Sequence, residues 1–286
     1  MVKKILGNIY IYLILLLMYI PVLVLIAFSF TTAGNVGEWT GFSLDLYPRL
    51  FQNEEIMIAL GNTLILAVTS ALVSVVLGTT GAIGAFYSKR KLRKTIDSVT
   101  QIPIVNAEIV MALSLTVMFV FLQSYVFGGN LLSFWTLLIG HVVLSLPFVY
   151  ISVKPKLEQM DPSLYEAAID LGATPHQALW KVIVPETIPG VLSGFLLAIT
   201  LSLDDFVITR FTTGSGLLSG DAAIMTLSTY VQGKIKKSNI PVELRALTTI
   251  IFVLVVLAVV IISVRRWYIA KYGKTRSERR AEHYGR

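Results

Sequence analysis

Three carboxylates stand in stretches that are otherwise free of charge: Glu108 between Ser98 and Leu122, and the adjacent Asp204 and Asp205 near the end of Ile188 to Thr209. An acid at the centre of a membrane helix costs roughly 2.5 to 3.5 kcal/mol on insertion scales, so such groups face protein or water and commonly mark a pathway. Carboxylates in a passage suit a cation that sheds water as it enters, because they replace lost hydration with opposite charge. Successive helical residues turn by about 100°, which separates the two aspartates. Asp204 falls in line with Thr200 and Ser193, and Asp205 with Ser202 and Thr209. One is therefore expected to face a pathway and the other a neighbouring helix or a partner subunit, and the spacing leaves open which. Acids lying near the interface, hydrated or paired with another subunit, would satisfy the same pattern.

Other chemistry is missing. The chain has no Cys, which excludes disulfides, thiol catalysis and Cys-ligated metals. The phosphate-cradling motif G-x-x-x-x-G-K-[ST] is represented only by Gly273, Lys274 and Thr275, with Tyr268 where its first glycine belongs. His141, His176 and His283 are scattered over a hydrophobic span, a loop and the tail. No metal cluster, cofactor or catalysis by this chain alone is expected, and His141 reads as a packed, hydrogen-bonded residue.

The elements that must position the acids are membrane helices. The 286 residues are 55% hydrophobic and 14% charged, against roughly 25% charge in a soluble domain, and the mean hydropathy is +0.74. Crossing about 30 Å of hydrocarbon at 1.5 Å per residue takes roughly 20 apolar residues. Six runs qualify: 9–30, 61–87, 98–122, 133–153, 188–209 and 246–264. The first is too long for a cleaved signal peptide and is expected to be retained. The fold class is thus all-α integral membrane, six transmembrane helices forming a single domain over 1–286. Lys and Arg accumulate on cytoplasmic flanks. With the N-terminus inside, 18 of the 24 basic residues fall on that side, eight of them in the tail 265–286, although five of the other six crowd the last outer loop. Both termini are expected in the cytoplasm. The net charge of +7 therefore follows membrane flanks, and nucleic acid is not an expected partner. Ser70, Ser74, Gly78 and Ala82 place a small residue every four along the second span, which permits close helix approach. In the outer loop, Ala222 to Val231 is expected to form a short helix.

The loop 154–187 carries two sets of helix signals. Asp161 before Pro162, or Ser163 with Glu166, starts a first helix, and Gly172 stops it in a left-handed turn. Thr174, Pro175 and Gln177 start a second, expected to end before Pro185. Glu166-Ala167-Ala168, Gly172 and Pro185 resemble the signature loop of bacterial ABC importer permeases, written E-A-A, three residues, G, nine residues, I-x-L-P. Val182 and Val184 stand at the Ile and Leu places. Further stretches are similar to the second permease subunit of spermidine/putrescine importers: Tyr19-Ile20-Pro21, Ile109-Val110-Met111-Ala112, His141 with Leu146-Pro147-Phe148, and Leu201-Ser202-Leu203-Asp204-Asp205. Where relatives commonly read Pro-Asp, this chain has Ala107-Glu108, so the carboxylate is kept and the proline is lost.

The resemblance implies a type I importer half-channel with cytoplasmic coupling helices in a bacterial cytoplasmic membrane. It implies that Glu166, Ala167, Ala168, Asp170, Gly172 and Pro185 couple to a separate ATPase that binds ATP and Mg. The implied partners are a related permease subunit in a heterodimer, two ATPase subunits and an extracytoplasmic polyamine-binding protein, with Asp204, Asp205 and Glu108 in the substrate pathway. The same engine with another small solute, such as iron or sulfate, is the nearest alternative, and a secondary transporter or channel is the more distant one.

Overall fold

The computed structural model describes residues 2–35, 37–127, 132–161, 163–216, 220–237 and 240–284. Pro162 and the last two residues of the tail, Gly285 and Arg286, lie outside the described residues. In chain order the helices are α1 (Val2–Phe28), α2 (Leu46–Gln52), α3 (Glu54–Phe86), α4 (Arg90–Val105), α5 (Glu108–Leu122, extended by a π turn Gln123–Phe127) and α6 (Phe134–Gln159). They continue as α7 (Ser163–Asp170), α8 (Pro175–Ala178, followed by a π turn Leu179–Ile183), α9 (Val184–Asp204), α10 (Val207–Thr212), α11 (Leu227–Lys236) and α12 (Glu243–Tyr284). The hairpin β1 (Ser215–Gly216) and β2 (Gly220–Ala223) pairs antiparallel ahead of α11. Among the described residues six helices are long and apolar enough to cross a membrane: Gly7–Phe28, Glu54–Phe86, Glu108–Val126, Phe134–Gln159, Pro175–Asp204 and Glu243–Arg265. This is the all-α, six-span architecture of a type I ABC importer permease.

By internal contacts the chain divides into two units, Met1–Glu54 with Ser238–Arg286, and Glu55–Lys237. In the first, Arg245 of α12 donates to the carbonyls of Ala33 (2.8 Å) and Gly34 (2.7 Å), which ties down the segment after α1. Ser29 and Tyr47 share a hydrogen bond of 3.0 Å, and Phe30 stacks on Phe42.

The second unit is built on α3, α6 and α9, whose small residues let the backbones approach. A methyl placed on Gly78 would lie 2.8 Å from Val149 Cγ1, and one on Gly194 would lie 2.9 Å from Val149 Cα. The stripe Ser70, Ser74, Gly78 and Ala82 is buried throughout. Close approach without lipid in the seam strengthens dispersion contacts and allows hydrogen bonds between helices. Ser74 meets Ser145 of α6 at 2.7 Å, and Ser70 donates to Ser202 of α9 at 3.2 Å. Ala71, Ala82 and Ala85 of α3, Val149, Val153 and Leu157 of α6, and Ala198 of α9 form one buried cluster.

Several boundaries differ from the sequence reading, and the fifth span is one of them: it stops at Asp204 rather than at Thr209, with a two-residue break before α10. The third span does not begin at Ser98. Residues 90–105 form a separate helix, α4, and Asn106 and Ala107 are extended before α5 starts at Glu108. The break is present although no proline stands at 107. The second loop helix does not end before Pro185. It runs through the π turn into α9, where Val184 N–H donates to Leu179 O and the wider turn carries the helix past Pro185, which has no N–H to give. The outer-loop helix is α11, starting at Leu227 behind a Thr226–Thr229 capping box, because Gly220–Ala223 is drawn into the hairpin. The last apolar span ends at Arg265, as read, but its helix does not stop there and continues to Tyr284.

Candidate functional site

The three acids arrive from different elements. α9 packs one face, Thr187, Gly190, Gly194, Ala198 and Ser202, inward. Its opposite face, with Ser193, Leu196, Thr200 and Asp204, is exposed. Helical turning carries Asp205 back inside. It is 4% exposed, sits in the two-residue break between α9 and α10 and has an extended backbone. Its carboxylate accepts from the backbone N–H of Ile208 (3.2 Å) and Thr209 (2.8 Å) and from Thr209 Oγ1 (2.9 Å). That is the work of a helix cap, which satisfies donors that the first turn of α10 cannot pair internally. Glu108 opens α5 and is exposed; Met111 and Ala112 of α5 pack with Ile208 of α10 in one buried cluster, which brings the Glu108 carboxyl close enough to Asp204 and Asp205 to feel their charge. The tertiary fold thus gathers Glu108, Asp204 and Asp205, two of them open and one enclosed.

Behind Asp205 lies a buried polar chain. His141 of α6 is fully enclosed, with Nε2 2.9 Å from Thr209 Oγ1 and 3.4 Å from Asp205 Oδ2, and Nδ1 2.7 Å from Ser202 Oγ. Thr209 gives its hydroxyl proton to Asp205, so it accepts from His141 Nε2–H. Nδ1 then accepts from Ser202, which accepts in turn from Ser70. A neutral imidazole with its proton on Nε2 satisfies every group in the chain. The reading of His141 as a packed, hydrogen-bonded residue holds. Its connection to Asp205 was not legible, because the two are 64 positions apart and only the α6–α10 packing brings them together.

The loop after α6 forms an exposed knob of two capped short helices. Ser163 N–H donates to Asp161 Oδ1 at 2.9 Å, and this backbone hydrogen bond holds the Asp161 carboxyl below its ordinary range. α7 ends at Gly172 with φ of 87°. Gly172 N–H bonds Ile169 O (2.8 Å) and Ala173 N–H bonds Ala168 O (3.0 Å), the paired bonds that close a helix on a left-handed glycine. Thr174 and Gln177 then exchange capping hydrogen bonds of 3.3 and 3.0 Å. Glu166, Ala167, Asp170 and Pro185 are exposed, Ala168 is half-buried, and Leu171 and Trp180 leave 89% and 58% of their surface open. Among the described residues no cluster of His, Asp and Glu is arranged to hold a metal ion.

Residues 74–270, more than half of the chain, match the family described as binding-protein-dependent transport system inner membrane component. The chain is 33% identical over 222 residues, 78% of itself and 79% of its relative, to the spermidine/putrescine transport system permease protein PotC of Escherichia coli K12. It is 32% identical over 247 residues, 85% of itself and 82% of the relative, to the putrescine transport system permease protein PotI of the same organism. Among solved structures, a bacterial ABC transporter that imports the acidic polysaccharide alginate superposes with a TM-score of 0.68 at 18% identity, covering 93% of this chain and 96% of that one. That last likeness speaks for the fold alone. The chain belongs to the binding-protein-dependent transport system inner membrane components, as a permease subunit of an ABC importer related to the spermidine/putrescine systems.

Proposed function

We propose that the chain forms half of the passage of a polyamine importer in the bacterial cytoplasmic membrane, with both termini inside. Its partners in this reading are a related permease, two ATPase subunits that bind ATP and Mg, and an external binding protein that delivers spermidine or putrescine. The observation that carries the cargo is the convergence of Glu108, Asp204 and Asp205, together with relatives whose names specify those polyamines. A polyamine carries two or more ammonium groups and gives up water to enter. Carboxylates held by the fold offset that loss and interact more strongly where water is sparse. Asp204 and Glu108, the two open acids, meet the cation in this reading, and Asp205 shapes the site from behind.

The loop supplies the drive. Glu166, Ala167, Ala168, Asp170, Gly172 and Pro185 lie on or beside the exposed knob, and Leu171 and Trp180 add apolar surface suited to burial against an ATPase. α8 runs without a stop into α9, so a push on the knob reaches the helix that carries Asp204.

The test is to co-purify the chain with its partners and measure ATP hydrolysis and uptake in proteoliposomes. Hydrolysis should rise with binding protein loaded with spermidine or putrescine, and labelled polyamine should enter. Stimulation by sulfate or iron with none by polyamines would overturn the cargo.

A further inference from the structure

α4 has no fully buried residue, yet it is fastened to α6 by a polar zipper. Arg93, Asp97 and Gln101 recur at four-residue spacing on α4, and Tyr150, Lys154 and Glu158 do so on α6, so each set lines one helix face. Arg93 pairs with Glu158. Asp97 Oδ1 receives Lys154 Nζ at 2.8 Å and Tyr150 Oη–H at 2.7 Å, and Lys154 also lies 3.9 Å from Glu158. Low numbers on α4 meet high numbers on α6, so the two helices run antiparallel. Partial burial pushes the Asp97 carboxyl up, but the hydrogen bonds from Lys154 and Tyr150 and the charges of Lys154 and Arg93 outweigh it and hold it below the ordinary carboxylate range. A cavity of about 250 Å³ lies among Asp97, Gln101, Tyr150, Lys154 and Glu158. Apolar packing is therefore incomplete along this seam, and the polar pairs carry much of its attachment.

The two ends of this arrangement matter. α6 ends at Gln159, and the knob begins four residues later at Ser163. From Arg93, α4 runs about 18 Å to Val105, and after two extended residues the chain reaches Glu108 in the acidic cluster. We propose that Arg93, Asp97, Tyr150, Lys154 and Glu158 form a strut that makes α4 move with the knob-bearing end of α6, so that displacement of the loop is delivered to Glu108 at the start of α5. The inference rests on the reading of the loop as the driven element. These are positioning residues, acting through Glu108. The four charged side chains are 19 to 43% exposed, while Tyr150 is buried, and ion pairs of that exposure add little to global stability. Their removal is expected to leave assembly intact while loosening a mechanical link, since coupling between sites needs a contiguous element that both ends bias.

The experiment uses the assembled importer in two arms. In the first, spin labels on Lys94→Cys and Gln159→Cys report the α4–α6 separation with and without ATP, independent of any cargo. The separation should stay constent in the otherwise unaltered chain and broaden in Arg93→Gln/Asp97→Asn. A separation that changes with ATP in the unaltered chain would overturn the strut. In the second, Arg93→Gln/Asp97→Asn should assemble and hydrolyse ATP while uptake per ATP falls roughly fivefold or more, and the exchanged pair Asp97→Lys/Lys154→Asp should recover most of the loss. An unchanged ratio in the neutral variant, or no recovery in the exchanged pair, would overturn it. If the unaltered complex ignores polyamines altogether, the cargo reading falls, and the label separation still decides the strut.

Discussion

His141 and Asp205 meet through a single hydroxyl: Thr209 Oγ1 lies 2.9 Å from His141 Nε2 and 2.9 Å from Asp205 Oδ2, and all three side chains are buried. Asp205 is thereby fixed on one side by the first turn of α10 and on the other by α6. Its neighbour Asp204 is exposed on the outer stripe of α9.

Opposite placement predicts opposite phenotypes. Asp204→Asn should leave the melting temperature and complex yield unchanged and cut spermidine uptake several-fold. Asp205→Asn puts an amide N–H₂ or an uncharged oxygen where three donors converge, and leaving buried donors short costs about 1 to 3 kcal/mol. It should lower the melting temperature in detergent as well as uptake. Thermal unfolding and uptake measured on both single variants check this, and equal melting with normal uptake in both would remove the acids from the pathway.

Gly172→Leu tests the knob. A side chain at φ of 87° is penalised by about 1 to 2 kcal/mol, and relief of that strain would re-aim α8 and, through it, α9. Membrane insertion should be normal while uptake is lost and loaded binding protein no longer stimulates hydrolysis. Glu166→Ala should show the same defect more mildly.

Gly78→Ala tests the small-residue seam. The added methyl would sit 2.8 Å from Val149 Cγ1 and 3.3 Å from Leu146 O, and overpacking of this kind costs about 1 to 3 kcal/mol. The variant should melt earlier, and Val149→Ala in the same chain should restore part of the loss. A melting temperature unchanged by Gly78→Ala would mean that the helices yield at little cost.

Orientation is open to a labelling test, since the chain has no native Cys. Gln159→Cys, exposed at the end of α6, should resist an impermeant thiol reagent in intact cells and react in inverted vesicles. Reaction in intact cells would reverse the proposed topology.

Hydrophobic length and local capping chemistry decided a great deal without tertiary information. A run of some 20 apolar residues has no alternative to a helix in lipid, because every backbone polar group must be satisfied internally, so six spans were readable. The glycine stop at Gly172 and the Thr174–Gln177 box were readable too, since their partners lie within five residues. Only packing decided the rest. Which aspartate is enclosed depends on α9 laying Gly190, Gly194 and Ala198 against α6, and the role of His141 depends on α10 folding back beneath it. The zipper of α4 on α6 joins residues 53 to 65 positions apart, and the π turn that lets α8 run past Pro185 into α9 is a compromise in backbone hydrogen bonding that no local signal announced. Partners distant in sequence are chosen by surface fit and by the demand that buried donors and acceptors be paired, and those choices become visible only when the helices are in place.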